Sequence, residues 1–361
     1  MTKNAYIHIP FCKSKCNYCS FVSFPQLGLK ERFVEALISQ IKSEYKGEKL
    51  NTLYFGGGTP SLLTVDEFKT LIGLFNFEDN AEITTEVNPD SVDFEYLLGL
   101  RQLGINRISI GSQTFDDEIL KQIGRRHNSE QIKSAVEMAK NAGFENISLD
   151  FIYGLPTQTI GGFESDLKTA VDLGIQHISL YGLKIDEGCH FYKNEPKQLA
   201  DSDLQADMYL KAIETLKNAG FEHYEISNFS LSTFNSRHNL NYWQNNTYYG
   251  LGCSASGYVE GVRYTNQDDL EKYILNPNSK ISEQEISEAE KLEEAIFLGL
   301  RKMAGINIAE INQQFSIDFN QKYAGILKKY LGSGHIVETT SGYALSIEGV
   351  LLSNEILSEF I

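Results

Sequence analysis

The chain has 361 residues, of which 42% are hydrophobic and 22% charged, so it can bury a sizeable core and is neither a fibrous nor a wholly disordered protein. Its 32 basic and 48 acidic residues leave a net charge of -16 at pH 7. Because this charge repels phosphate backbones and anionic lipid headgroups, we expect no nucleic acid and no bare membrane among its partners.

The first segment, MTKNAYIHIPF, reaches strand-like sequence within four residues and leaves no room for a signal peptide. No apolar run approaches the roughly 18 residues of a membrane-spanning helix. Three of the five cysteines lie within eight residues, which is not the pattern of a secreted disulfide framework. We therefore expect a cytoplasmic protein with a metal or redox site.

Six β-rich runs alternate with amphipathic segments through about residue 185. The runs are NAYIHIP, NTLYFGGG, AEITTEVNP, RISIGSQTF, NISLDFIYGLP and HISLYGLKI. The segments between them, such as SEQIKSAVEMAKNAGF, repeat apolar residues at the spacing of a helix. A further helix and the run FEHYEISNF extend this unit over residues 1–229. The alternation predicts an α/β fold with a parallel barrel or partial barrel, and a doubly wound open sheet is the alternative.

The remaining chain divides into two parts. Residues 230–282 begin with a stretch rich in Asn, Tyr, Ser and Gly and are predicted to form a long irregular connection. Residues 283–361 contain three helical segments and a hairpin, HIVET and GYALS, split by a turn at Ser341 and Gly342. This order is typical of a winged helix. Its low basic character argues against DNA binding.

Cys12, Cys16 and Cys19 form a C-x3-C-x2-C motif in a loop directly after the first strand. Three thiolates on a cubane cluster leave one iron open for a ligand, whereas a structural zinc site closes with a fourth Cys or His. The spacing favours the open centre. A zinc loop completed by a remote histidine, or simple structural thiols, remains the alternative, and Tyr18 and Phe21 could serve only to pack the loop.

A glycine run and several polar residues stand at the ends of the predicted strands. Glycines without a Cβ atom let a ligand approach the backbone, and the carboxyl ends of barrel strands are where ligands bind. The residues concerned are Gly57, Gly58 and Thr59 after the second strand, then Glu86, Gln113 and Asp150. Arg125 could neutralise a carboxylate there. Each of these residues could instead belong to a turn or a helix cap.

At the cysteines the sequence resembles the radical S-adenosylmethionine superfamily, in which an aromatic residue, here Tyr18, precedes the third cysteine. The resemblance implies a partial (β/α)6 barrel, a [4Fe-4S] cluster on the three cysteines, and S-adenosylmethionine on the open iron. It also implies that the glycine run binds the amino group of S-adenosylmethionine. The resemblance also implies that the cofactor is contacted by Tyr6, Glu86, Gln113, Arg125 and Asp150. Arg126, the neighbour of Arg125, could take its place.

The segments YIHIPFC, GGGTPS, RISIGSQTF and DFIYGLP resemble the oxygen-independent coproporphyrinogen III oxidase group. True oxidases of that group carry a fourth cysteine and a long N-terminal arm. Here Phe21 stands at the fourth cysteine position, and eleven residues precede Cys12. The stretch His238 to Trp243, which we call the haem segment, instead matches the H-N-x-x-Y-W motif of the HemW family of haem chaperones.

The haem segment has suitable chemistry, because an imidazole can ligate haem iron and the faces of Tyr242 and Trp243 can flank a macrocycle. The resemblance therefore implies a chaperone that binds haem and delivers it to haem-accepting proteins such as respiratory ones, meeting membranes only through them. The alternative is an oxidase that converts coproporphyrinogen III, and a third is a zinc-stabilised barrel. Cys189 and Cys253 are expected to be ordinary buried thiols, although Cys253 is a candidate secondary haem ligand.

Overall fold

We analysed a computed structural model that describes residues 1–361. It contains fifteen strands, sixteen α-helices and three short 3-10 helices. The strands are β1 (Asn4–Ile9), β2 (Lys49–Gly57), β3 (Asn76–Val87), β4 (Arg107–Gln113), β5 (Ile147–Tyr153), β6 (His177–Gly182), β7 (Glu222–Glu225), β8 (Asn228–Ser230), β9 (Tyr249–Leu251), β10 (Ser256–Val259), β11 (Val262–Asn266), β12 (Lys280–Glu285), β13 (Ile306–Asn307), β14 (Ile336–Glu338) and β15 (Gly342–Leu345). The α-helices are α1 (Lys30–Glu44), α2 (Val65–Ile72), α3 (Phe94–Gln102), α4 (Asp117–Gln122), α5 (Ser129–Asn141), α6 (Ile160–Asp172), α7 (His190–Lys193), α8 (Ser202–Asn218), α9 (Arg237–Trp243), α10 (Leu270–Leu275), α11 (Glu288–Gly299), α12 (Ile308–Phe315), α13 (Phe319–Lys322), α14 (Ala324–Gly332), α15 (Ile347–Leu351) and α16 (Ser353–Ser358).

Nine strands form the main sheet in the order β7-β8-β6-β5-β4-β3-β2-β1-β9. Strands β1 to β6 are parallel and lie in chain order, with helices in the connections. The sheet stays open because β7 and β9 are its two edges. This topology confirms the predicted partial barrel. It does not have the reversal of strand order that a doubly wound sheet requires.

The parallel strands separate apolar from polar side chains with a period of two. In β1, Ala5, Ile7 and Ile9 are fully buried in the main core against the helices. The alternate residues Tyr6 and His8 face the concave interior, where they line cavities. The same alternation continues through β6, so the interior of the barrel is polar. This is why the site lies there.

The segment 230–282 is more ordered than its composition predicts. It contains the short helix α9 and strand β9, which pairs in parallel with β1 and so joins the main sheet. Strands β10, β11 and β12 then form an antiparallel sheet of their own. These elements are three to seven residues long, which is too short for a hydrophobic period to show in the sequence.

The C-terminal part has its own hydrophobic core of sixteen buried residues, of which fifteen lie between Leu292 and Phe360 and one is Tyr209 of α8. Strands β14 and β15 pair as the predicted antiparallel hairpin, and β13 adds a third strand in the order β13-β15-β14. The winged-helix-like arrangement is thereby confirmed, whereas the domain boundary at residue 283 stays a prediction. No helix in the chain is long and apolar enough to cross a membrane.

Candidate functional site

A cavity of about 520 Å³ opens at the carboxyl ends of the parallel strands. We call it the cofactor cavity. It lies within the usual size range of small-molecule sites. Every predicted site residue except Trp243 lines it: Tyr6, Cys12, Cys16, Tyr18, Cys19, Gly57, Gly58, Thr59, Glu86, Gln113, Arg125, Asp150, His238 and Tyr242. Residues spread over some 230 positions of sequence are therefore brought to one concave surface.

The three cysteines follow β1 and face this cavity as free thiols. Cys12 Sγ lies 3.4 Å from the Thr59 hydroxyl, and Arg125 Nη1 donates to Cys16 Sγ at 3.7 Å. The backbone N–H of Cys19 donates to the carbonyl of Cys16 at 3.2 Å. In this arrangement no three His, Cys, Asp or Glu side chains converge as a single bound metal ion requires. A thiol set beside a guanidinium suits an anionic cluster.

The glycine run holds the end of β2 against the cysteine strand. Gly57 has a φ of +114°, and a Cβ atom there would lie 2.7 Å from the ring of His8. A Cβ atom on Gly58 would lie 2.6 Å from the carbonyl oxygen of Phe11. Both positions therefore require glycine. Thr59 continues the contact to Cys12, so the glycine run and the cysteines form one packed unit.

Four carboxylates line the cofactor cavity, and two of them, Glu86 and Asp150, lie on the parallel strands. Glu86 accepts hydrogen bonds from the Tyr54 hydroxyl at 2.9 Å and the Gly57 N–H at 3.2 Å. Burial, and next the charge of Asp150, raise the pKa of Glu86 to about 7. Burial also raises the pKa of Asp150, which accepts from Ser109 Oγ at 2.8 Å. Buried acids of this kind need a cationic partner, and the ammonium and sulfonium groups of S-adenosylmethionine fit that need.

Arg125 and Arg126, which the sequence could not distinguish, point in different directions. Arg125 Nη2 donates to Asn88 Oδ1 at 2.8 Å and to the carbonyl of Gly111, beside its contact with Cys16. Arg126 is mostly exposed and pairs with Asp90 at 3.3 Å. Arg125 is therefore the residue that reaches the cysteine loop, and its buried Nε atom has no partner within the protein.

Tyr6 of β1 and Gln113 at the end of β4 also line the cavity. The Tyr6 hydroxyl is 2.9 Å from His8 Nδ1, and His8 Nε2 is 3.0 Å from the carbonyl of Val22 just beyond the cysteines. Gln113 ends β4 with a φ of +71°, a strained conformation for a residue with a side chain. This turn leaves Gln113 lining the cavity.

Helix α9 carries the haem segment to the wall of the same cavity. The carboxylate of Glu82 accepts from the backbone N–H groups of Arg237 and His238 at 2.9 and 3.0 Å, which fixes the start of the helix. The His238 side chain is buried, with Nδ1 2.7 Å from Thr52 Oγ1 and Nε2 2.8 Å from the Tyr242 hydroxyl. Burial, and next the charge of Arg107, lower the pKa of His238 to about 3. The ring is therefore neutral.

Trp243 turns away from the cofactor cavity. The guanidinium of Arg301 lies 4.5 Å above its indole ring, at the end of α11. The contact of Trp243 with haem therefore stays a prediction. Cys189 and Cys253 are buried, and burial raises the pKa of Cys253 to about 12, which favours an uncharged thiol.

Sequence reasoning missed several residues of this cavity, above all Tyr54, Asn88 and Arg107. Tyr54 stacks on His238 with 5.0 Å between ring centroids, and Asn88 Nδ2 donates to Thr59 Oγ1 at 3.1 Å. Arg107 is 2% exposed and faces the interior of the barrel from β4. The sequence signal that could have identified Arg107 is its place as a charged residue at the start of the apolar run RISIGSQTF.

Comparison with known proteins gives consistent matches. Residues 6–170 match the radical SAM superfamily, and residues 286–352 match the HemN C-terminal domain. The chain is 36% identical to the heme chaperone HemW of Lactococcus lactis, covering 99% of this chain and 97% of that one. It is 35% identical to HemW of Bacillus subtilis over 99% of both chains, and 32% identical to HemW of Haemophilus influenzae over 99% and 97%.

Among solved structures, coproporphyrinogen III oxidase (HemN) from Escherichia coli superposes with a TM-score of 0.87, at 23% identity. The match covers 99% of this chain and 89% of that one. At this level of identity the likeness establishes a common fold.

Proposed function

Because the chain belongs to the HemW family of heme chaperones, we propose that it binds haem, a [4Fe-4S] cluster and S-adenosylmethionine, and that it delivers the haem to acceptor haemoproteins such as respiratory ones. The observation that carries the proposal is that α9, with His238 and Tyr242, lines the same cavity as the three cysteines. The proposed haem ligand and the proposed cluster ligands are thus neighbours on one surface. A cytoplasmic location is part of the proposal.

The cluster would be held by Cys12, Cys16 and Cys19, with the guanidinium of Arg125 balancing the charge of the thiolates. The Gly57 to Thr59 backbone and the carboxylates of Glu86 and Asp150 would hold S-adenosylmethionine. When bound, the two groups together supply one-electron chemistry. The donor set fits both groups, since thiolates suit iron and buried carboxylates suit a cationic cofactor.

The haem would lie against α9. Tyr6, Tyr54 and Tyr242 add aromatic surface around His238 on the cavity wall. The ring of Phe21 is 68% exposed at the cavity, at the position where the oxidases carry their fourth cysteine. An exposed phenyl ring can contact a macrocycle, and it cannot ligate a metal. This difference supports a carrier of haem over an oxidase that converts a porphyrinogen.

The test is to reconstitute the purified protein anaerobically and to run three assays side by side. Haem should bind, S-adenosylmethionine should bind, and coproporphyrinogen III should not be converted to protoporphyrinogen IX. Haem-loaded protein should then transfer its haem to an apo-haemoprotein, followed by the absorption spectrum of the acceptor. Free haem at the same concentration is the control for passive transfer.

Multiple-turnover formation of protoporphyrinogen IX would overturn the chaperone assignment. The chain should also fail to rescue growth of a strain that lacks its coproporphyrinogen oxidases. An oxidase must seat its substrate beside the reacting atom, where an error of about 1 Å can cost roughly a hundredfold in rate.

A further inference from the structure

A chain of buried hydrogen bonds runs from the ring of His238 away from the cofactor cavity. Thr52 Oγ1 lies 2.7 Å from His238 Nδ1 and 3.0 Å from Asn4 Oδ1. Asn4 Nδ2 donates onward to Asn241 Oδ1 at 2.6 Å and to the backbone carbonyl of Thr247 at 3.3 Å. Asn4 and Thr52 are almost wholly buried. The chain therefore links β1 and β2 to the ring of His238 on α9.

The backbone carbonyl of Thr247, the last group in this series of hydrogen bonds, determines which groups donate and which accept. The Thr247 carbonyl can only accept, so the nitrogen of the Asn4 amide faces it and Asn4 Oδ1 faces Thr52. Because an amide oxygen cannot donate, Thr52 must donate its single hydroxyl hydrogen to Asn4. Thr52 Oγ1 is then an acceptor toward His238, and His238 Nδ1 carries a hydrogen.

The ring of His238 is 1% exposed and its two nitrogens face only the hydroxyls of Thr52 and Tyr242, so no carboxylate is in hydrogen-bond contact to stabilise a charged ring and the ring is neutral. A neutral imidazole with a hydrogen on Nδ1 has its lone pair on Nε2. The Tyr242 hydroxyl, 2.8 Å away, therefore donates to Nε2. The nitrogen that could bind iron is Nε2, and the Tyr242 hydroxyl is the group that iron would displace.

The orientation of the ring is fixed as well as its tautomer. The Tyr54 ring stacks on His238 at 26° between planes, and the Tyr242 ring meets it edge-on at 86°, each with 5.0 Å between centroids. A flip of the imidazole would turn carbon atoms toward Thr52 and Tyr242. Both hydrogen bonds would be lost, so the flipped ring is disfavoured.

We propose that Asn4 and Thr52 are positioning residues that hold His238 in the Nδ1–H tautomer and so keep Nε2 as the nitrogen that binds haem iron. Asn4 acts on His238 only through Thr52. Because Asn4 Oδ1 accepts the hydroxyl hydrogen of Thr52, Thr52 Oγ1 can only accept a hydrogen bond from the ring. Partners of this kind orient histidine ligands in metal sites. The inference rests on the proposed function, because it takes haem as the ligand of the segment.

The tautomer is measured first, by ¹⁵N NMR on full-length, haem-free protein labelled at histidine. The signals of His238 are identified by their loss in His238→Gln. In the parent protein the hydrogen should be on Nδ1, and Thr52→Ser should keep it there. Asn4→Leu should free the Thr52 hydroxyl to donate to Nδ1 and so shift the hydrogen to Nε2. Hydrogen on Nε2 in the parent, or an unchanged tautomer in Asn4→Leu, would overturn the inference.

Haem titration of the same proteins tests the consequence for binding. Thr52→Val and Asn4→Leu should each weaken haem binding about tenfold, the usual effect of losing a partner of a ligating histidine, whereas Thr52→Ser should match the parent. A shifted tautomer with unchanged haem affinity would overturn the positioning role and leave the proposed function intact. Absence of haem binding in the parent would defeat the proposed function and with it the role in haem binding, while the NMR result would still decide the hydrogen-bond assignment.

Discussion

Tyr54 stacks its ring on His238 and donates its hydroxyl hydrogen to Glu86 at 2.9 Å. One side chain thus contacts both the haem segment and the carboxylate proposed to hold S-adenosylmethionine. A change at either place should therefore affect Tyr54.

We expect Glu86→Gln to change how stability depends on pH. The pKa of Glu86 is about 7 in the folded protein against an ordinary value of 4.5. Because the pKa is higher in the folded protein, the protonated carboxyl of Glu86 adds to the free energy of unfolding. This contribution is complete below pH 4.5 and is lost as the pH rises to 7. Relative to the parent, Glu86→Gln should gain up to roughly 3 kcal/mol across that window and no more above it.

The measurement is the free energy of unfolding in urea at several pH values, for parent and variant. The glutamine side chain has only one oxygen and therefore loses one of the two hydrogen bonds that Tyr54 and Gly57 donate to Glu86. The change of the stability difference with pH, and not its size at one pH, is therefore the informative quantity. Tyr54→Phe is the companion variant, because the Tyr54 hydrogen bond lowers the pKa of Glu86 and its removal should extend the window above pH 7. A difference that stays flat from pH 4.5 to 7 would contradict the assigned pKa.

Gly57→Ala should lower stability and abolish S-adenosylmethionine binding, because the new Cβ atom would lie 2.7 Å from the His8 ring. Gly47→Ala is a matched control. Gly47 also has a positive φ, +92°, but a Cβ atom there meets nothing within 4 Å. Backbone strain should cost each variant about 1–2 kcal/mol, and the clash should cost Gly57→Ala about 1–3 kcal/mol more.

Urea unfolding and equilibrium binding of S-adenosylmethionine give the two readouts. Equal destabilisation by both substitutions, or full cofactor binding in Gly57→Ala, would mean that the close approach of the glycine run to β1 is not required.

Replacing Cys12, Cys16 or Cys19 by Ser should remove the iron–sulfur cluster, whereas Cys189→Ser, at a buried thiol outside the cofactor cavity, should keep it. The parent protein should hold about four irons per chain after anaerobic reconstitution. Iron and sulfide analysis with electron paramagnetic resonance of the reduced protein measures this. Zinc bound tightly without sulfide, in protein from iron-replete cells, would support the zinc alternative.

His238→Ala should weaken haem binding and alter the Soret band, since the variant lacks the only imidazole of the haem segment. His190→Ala is the control, because His190 is exposed and lies outside the cofactor cavity. Trp243→Ala should have a smaller effect, because its ring packs on Arg301 and not on the cavity. If haem binds all three variants as it binds the parent, its site lies elsewhere.

Much of the fold could be predicted because each parallel strand is an apolar run that ends in a recognisable turn. The rule that ligands bind at the carboxyl ends of such strands brought Glu86, Gln113 and Asp150 into one cavity. Tyr54 lies inside β2 and Arg107 begins β4, and both escaped notice because only the placement of the helices decides which face of a strand becomes the interior.

The haem segment was recognisable as a motif, but its surroundings were not. Strand β9 is three residues long and gives no pattern that a sequence can reveal. The direction of Trp243 depends on Arg301, which lies in the C-terminal part of the chain. Long-range contacts of this kind are decided by tertiary packing, and local sequence carries little information about them.

The pairing of β1 with β9 sets an order of events during synthesis. Ala5 of β1 pairs with Leu53 of β2 on one side and with Tyr249 of β9 on the other. At about 5–20 residues per second, a ribosome makes the second partner on the order of 10–40 s after the first. Until then the free edge of β1 is open beside the cysteine loop. The cysteine loop and the glycine run are therefore synthesised, and free to pack on each other, before the haem segment and β9 exist.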